Sequence, residues 1–377
     1  MSLPLKKILI VSAAAMLFNV TGRAFCAAGQ ILSDAFFQNP AELGLIDHTK
    51  LIAGNLYIVP EFKFVGTALA GSGSAVSKVN NSLPYLKTAY RMNDRWVVGV
   101  DVVPTTYGHI EWPMNSPVIQ NSTKTQLIYY RGGVESSYQF TDKLTLGFGV
   151  NLEWNKNLEL DFFRPGQGNE INKVSGLNNI VDLGFVYKID PRNTLNASLF
   201  SGVNTNGSGT SSLGGQTVYG TSLTIVEAML AHVGLQHMVT DEWLVEGRVY
   251  WSNWCIQKNF HLLNTVTGSY VLPTDWKNVW AFLLRNRYDV TDRLALTGSI
   301  LYETNPAPVW TNAIAYPLSS ILAGSAGVDV AIQKEISVQV KYEYATFLPR
   351  ALINNEFANG NISARIQSIL FQLSYKT

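Results

Sequence analysis

The sequence predicts an all-β protein: a transmembrane antiparallel β-barrel of about fourteen strands, with a short N-terminal plug (hatch) segment in its lumen. Three observations predict the barrel, and its width calls for the plug. Apolar and polar residues alternate with period two over segments of ten residues or more. Only 15% of the residues are charged and 11% are aromatic, yet no apolar run reaches the ~20 residues that a spanning helix requires. A short polar turn also recurs along the chain, alternating with long connections rich in Gly, Ser, Asn and Pro. In lipid every backbone N–H and C=O needs an internal partner, so a membrane chain without spanning helices must close its sheet into a barrel.

The elements follow in order. Lys6 and Lys7 precede a short apolar core at 8–18 and the small residues Ala24, Ala27 and Ala28, the layout of an export signal. Residues 1–28 are therefore read as a signal peptide cleaved somewhere in 19–28, residues 29–48 as the plug, and 49–377 as the barrel. Along 144–155, Leu144, Leu146, Phe148, Val150, Leu152 and Trp154 share one face, with Thr145, Asn151, Glu153 and Asn155 on the other. Glu246, Arg248 and Tyr250 oppose Val245, Val249 and Trp251 in the same way, and 336–344 repeats the pattern. Globular strands average roughly five or six residues, whereas a tilted membrane strand needs about ten.

The recurrent turn pairs Tyr90 with Asn93-Asp94, Tyr138 with Thr141-Asp142, Tyr187 with Asp190-Pro191, and Tyr288 with Thr291-Asp292; His237 takes the Tyr position before Thr240-Asp241. Short polar side chains suit tight hairpins, and the preceding Tyr suits a membrane–water boundary. A sixth turn falls at 333–335. Seven long connections, at 71–82, 113–124, 163–176, 204–220, 257–275, 305–320 and 348–361, alternate with these six turns and so separate fourteen strands. Short turns on the periplasmic side and long loops outside are the bacterial pattern. The last strand alternates through Ile369, Phe371, Leu373 and Tyr375, although the chain ends without a terminal Phe or Trp.

Several segments, taken in order, resemble the FadL family of outer-membrane transporters for hydrophobic compounds. Gly22-Arg23-Ala24-Phe25 followed by Asn39-Pro40-Ala41 is similar to that family's plug. Pro104-Thr105-Thr106-Tyr107-Gly108 lies where the family's third strand is kinked beside a lateral opening. Trp251-Ser252-Asn253-Trp254 and the stretch from Tyr302 to Pro308 resemble family strand ends. The resemblance implies a monomer in the bacterial outer membrane that passively admits hydrophobic small molecules. Long-chain fatty acids come first and aromatic hydrocarbons are the alternative. Lys156 is the nearest positional match to the family's carboxylate-binding residues, and Arg164 in the following loop is a second candidate.

The residues carry chemistry consistent with this. A fourteen-strand barrel leaks unless something fills its lumen. Pro40 fixes φ and lacks a donor, and Asn39 tolerates turn geometry, so Asn39, Pro40 and Ala41 are read as plug and gate; an ordinary turn before the first strand is the plainer alternative. Leu262, Leu263 and Trp310 sit in long connections with further apolar residues, an outer greasy site or simply loops packed together. Pro104, Tyr107 and Gly108 would interrupt the third strand as a lateral opening or as a plain bulge.

Other classes fare worse. A net charge of +1 offers nothing to nucleic acid, and Cys26 and Cys255 are too few for a disulfide scaffold. His109, His232, His237 and His261 sit in no catalytic or metal-binding motif, so no enzyme, metal or cofactor is expected. A polar-solute porin, a structural barrel and, last, a hydrolase barrel complete the alternatives. The partners expected are a hydrophobic ligand and outer-membrane lipid.

Overall fold

The structure, a computed structural model, describes residues 39–377, so the expected signal segment and residues 29–38 of the expected plug lie outside the described residues. Fourteen antiparallel strands close into a barrel. They are β1 (Thr49–Ala68), β2 (Gly71–Lys78 and Asn81–Arg91), β3 (Trp96–Glu111), β4 (Lys124–Gln139), β5 (Leu144–Arg164), β6 (Gly168–Lys188) and β7 (Asn193–Phe200 and Val203–Leu213). Then follow β8 (Gln216–Glu227 and Leu230–Met238), β9 (Trp243–Ser252), β10 (Val279–Thr291), β11 (Leu294–Glu303), β12 (Ile321–Ala331), β13 (Ile336–Phe347) and β14 (Ala358–Lys376). Closure comes from β1 against β14, in register from Lys50↔Lys376 to Ala68↔Ala358.

Alternation sorts the faces as the pattern requires. On β5, Leu146, Phe148, Val150 and Leu152 are exposed towards lipid while Thr145, Asn151, Glu153 and Asn155 are buried inside. The short turns are built by the side chains that marked them. Asn93 Oδ1 accepts from the N–H groups of Arg95 and Trp96 (2.9 Å each), and Asp190 Oδ1 from those of Arg192 and Asn193 (2.8 and 2.9 Å). Thr141 Oγ1 does the same for Lys143 and Leu144, and Thr291 Oγ1 for Arg293 and Leu294.

The long connections differ from expectation. Much of 71–82, 163–176 and 204–220 continues the strands as tall hairpins, and 257–275 carries its own hairpin, Asn259–Thr265 with Gly268–Pro273. Strand pieces that stand clear of lipid need no apolar face, so their Gly, Ser and Asn content resembles a loop while the ladder continues.

Interruptions run side by side through one half of the wall. β2 breaks after Lys78, register shifts at Pro104/Thr106 between β3 and β4, at Gln126/Tyr129 between β4 and β5, and at Asn155/Leu158 between β5 and β6. β7 breaks after Phe200 and β8 before Leu230, and these two residues face one another. Inward side chains on the outer side are mostly apolar and form one continuous cluster, including Phe62, Phe64, Trp112, Phe200 and Phe347. On the periplasmic side they are largely polar or charged.

Candidate functional site

The described part of the expected plug segment is a short 3-10 helix, Pro40–Leu45, capped by Asn39 in extended conformation, whose side chain accepts from the Ala41 N–H at 3.0 Å. Proline at the first helical position sacrifices no bond, because that N–H would be unpaired anyway. Asn39 is fully buried, and its amide also donates to the wall carbonyls of Phe185 on β6 (2.9 Å) and Ala197 on β7 (3.0 Å). Two glycines make this approach possible. A Cβ on Gly184 would lie 1.9 Å from Asn39 Oδ1, and one on Gly147 would lie 2.0 Å from Ala41 N. The three expected plug residues thus sit in a notch between two wall glycines.

The far end of the helix is held as well. Arg91 donates to the carbonyls of Ile46 and Gly44 at 2.7 Å each, and Leu43 packs with Ile46, Ala89 and Val97. Across the lumen Arg248 on β9 donates to Glu42 at 3.1 Å, while Arg248 and Arg285 both engage Glu246. Burial raises the Glu42 carboxyl from its ordinary 4.5 to about 7, with Glu246 adding to the rise and Arg248 and Arg285 opposing it. In the same polar tier, Arg131 is fully buried among Asp101 (2.8 Å), Asp182 (3.2 Å) and Glu135 (3.4 Å). Asn151 donates to Asp182 at 2.7 Å, so this tier of the lumen is cross-linked by charge-assisted bonds.

Above it lies the apolar tier, whose outer end is aromatic. Trp254 meets Trp276 edge-on at 5.3 Å, and Phe260 meets Trp276 and Tyr316 edge-on at 5.4 and 4.8 Å. Leu262 is buried in this tier, whereas Leu263 points away and is exposed, and Trp310 is 63% exposed at the rim. The expected outer site residues are therefore not brought together: of the three, Leu262 alone faces the chamber.

Pro104 sits where β3 loses register with β4, so the expected interruption is present. Among the described residues the β2–β3 ladder ends at Leu86↔Val102, while β3 stays paired with β4 beyond the shift, as far as Glu111↔Lys124. Side chains take over across that stretch: Asn81 Nδ2 donates to the Tyr107 hydroxyl at 2.7 Å, and Asn81 also contacts His109 at 3.3 Å. Gly108 lies on this same unladdered edge and is buried.

Lys156 lies in β5 at the break with β6, and its side chain falls outside the described residues. Arg164 ends β5 rather than lying in a loop. Its guanidinium donates to buried Glu170 (2.6 and 2.8 Å) and to the Tyr270 hydroxyl (2.7 Å), and it lies over the rings of Phe162 and Tyr270. Sequence reasoning missed Gly147, Gly184, Arg248 and the Glu42 contact. Nothing local marks them, since each matters only through a partner more than a hundred residues away.

Comparison with known proteins agrees with this architecture. The model of the outer membrane protein transport protein family (OMPP1/FadL/TodX) matches residues 11–370. No curated protein matches the chain in sequence. Among solved structures, a Pseudomonas aeruginosa FadL homologue is similar at a TM-score of 0.80 and 16% identity, covering 94% of this chain and 97% of its own. The P. putida toluene transporter TodX gives 0.69 and 17% over 91% and 94% of the two chains. The Ralstonia pickettii toluene transporter TbuX gives 0.70 and 16% over 96% and 98%. At such identities these structures speak for the fold.

Proposed function

This chain belongs to the OMPP1/FadL/TodX family of outer membrane transport proteins, and we propose that it is a passive, monomeric channel that takes an uncharged hydrophobic molecule of aromatic-ring size. The protein resides in the bacterial outer membrane. In this reading the solute partitions from outside into the aromatic outer end of the lumen. It moves down the apolar tier and leaves sideways between β2 and β3 at Pro104, Tyr107 and Gly108, where no backbone ladder bars the way. The plug at Asn39, Pro40 and Ala41 seals the polar tier below and shifts when ligand crowds it.

The observation that carries this reading is the ladder ending at Leu86↔Val102 beside an apolar chamber that has a seated plug beneath it. The preference for an uncharged ligand comes from Arg164, whose charge is taken up by Glu170. Burying a carboxylate among aromatic rings without a cation is costly. A long-chain fatty acid is the second reading, because Arg164 at the chamber edge has rings on either side and could exchange Glu170 for a ligand carboxylate.

A reversible staple tests the route. In a Cys255→Ser background, Asn81→Cys and Tyr107→Cys would be bridged from β2 to β3 by a reducible bifunctional methanethiosulfonate, which spans the gap that the Asn81 amide and the Tyr107 ring fill in the wild type. Toluene uptake by cells should fall on cross-linking and return on reduction. Uptake that ignores a cross-link verified by mass spectrometry would exclude a lateral exit here.

A further inference from the structure

The lipid-facing side of the β2, β1, β14 and β13 wall carries a basic patch at one level. Outward residues of adjacent strands are fixed by register: Lys78 lies opposite Glu61, Glu61 opposite Arg365, and Arg365 opposite Thr346. Lys63 stands one outward position above Glu61, opposite Ser363. Arg350, just before the short strand Ala351–Asn354, reaches the neighbouring Asn361 at 3.5 Å. Lys63, Arg350 and Arg365 are exposed, and Lys78 is 62% exposed although it touches Glu61 at 2.6 Å. Lys78, Arg365 and Lys63 all act electrostatically on the Glu61 carboxylate. Three cations therefore surround one anion, and Arg350 stands further out on the same face. Lys258 and Lys173 elsewhere on the outer rim are matched by carboxylates, Asp275 and Glu159 respectively.

The height of the patch gives it meaning. The periplasmic end of the apolar band on these strands is the pair Leu51↔Tyr375. Ten residues further along β1 stands Glu61, which at about 3.4 Å per residue and a tilt of about 40° is a rise of about 26 Å. That is the height of a bacterial barrel's apolar band, so the patch meets the outer leaflet where its headgroups begin. Directly below, Tyr57, Ile369 and Tyr344 present an apolar surface at acyl-chain depth, and Val65 and Val76 flank the cations above.

We propose that this patch is a binding site for a phosphate-bearing glycolipid of the outer leaflet. Lys63, Lys78 and Arg365 would hold the phosphates and the Tyr57–Tyr344 face would hold the acyl chains. The site depends on the outer-membrane placement and is independent of what the lumen carries.

Native mass spectrometry of the detergent-solubilised full-length protein tests this. The probes are diphosphorylated lipid A and the same lipid with its phosphates removed. The wild-type protein should retain the diphosphorylated form at least tenfold more strongly. Lys63→Gln, Lys78→Gln and Arg365→Gln together should lower its affinity about a hundredfold, at roughly fivefold per cation, and leave the dephosphorylated form unchanged. Glu61→Gln should act in the opposite direction and strengthen retention, an outcome that a damaged barrel would not produce. Equal retention of the two lipids, or a triple variant that binds as the wild type does, would overturn the proposal. Displacement by millimolar inorganic phosphate would also overturn it, by marking a site for the free anion and not for the lipid.

Discussion

The glycine notch makes a prediction that can be worked through from distances. In Gly184→Ala the new methyl would lie 1.9 Å from Asn39 Oδ1, and in Gly147→Ala it would lie 2.0 Å from Ala41 N and 2.3 Å from the Pro40 carbonyl carbon. Ordinary contact begins near 3.4 Å, so the plug must retreat by about 1.5 Å. That retreat strains or breaks both Asn39 bonds to the wall and the Glu42–Arg248 contact at 3.1 Å. Two neutral bonds at about 1 kcal/mol each and one charged bond at about 1.5–3 kcal/mol amount to roughly 3–5 kcal/mol. A loss of that size shifts the ratio of seated to unseated plug by about a hundredfold or more. The assay is conductance in planar bilayers, together with sugar-driven swelling of proteoliposomes. Either alanine variant should leak where the wild type is tight. Gly247→Ala is the control, since a Cβ there meets nothing within 4 Å. If the notch variants assemble as heat-modifiable barrels and remain tight, the account of the seat is wrong.

Three further outcomes are expected. Because burial raises the Glu42 carboxyl above its free value, the seated plug binds a proton more readily than the free one; seating is strongest below about pH 4.5 and weakens as pH rises through about 7. Leak conductance should therefore be greater at pH 8 than at pH 5, and Glu42→Gln should remove that difference; a variant with an unchanged pH profile would contradict it. Arg131→Met should destabilise the barrel by about 3–5 kcal/mol in urea titrations in lipid, because it removes the buried cation that bonds Asp101, Asp182 and Glu135 directly. Arg164→Ala should leave toluene uptake within about twofold of the wild type, since Glu170 already occupies the guanidinium; a large loss, with fatty acid bound in the wild type, would favour the carboxylate ligand.

Strand faces and turns were legible because they are written locally. Alternation on β5 and the Asn93, Thr141 and Asp190 turn acceptors need only their nearest neighbours to act. Pro104 was legible for the same reason, since a missing donor interrupts any ladder. The 204–220 hairpin was not, because outside lipid a strand has no apolar face to betray it. The notch was not either: Gly147 and Gly184 look like other strand glycines until closure sets them against Asn39. Arg164 reads as a free loop cation, and only the fold brings Glu170 and Tyr270 to it.

The line of interruptions from β2 to β8 divides inheritance within one wall. A bulge absorbs a residue without disturbing pairing beyond it, so strand pieces above the line can lengthen, shorten or change composition while the register below stays put. The seat of the plug lies wholly on the lower side, at Gly147, Phe185, Ala197 and Arg248. On the proposed function, chimaeras that exchange only the outer pieces should change what enters while keeping the contacts that hold the 40–45 helix.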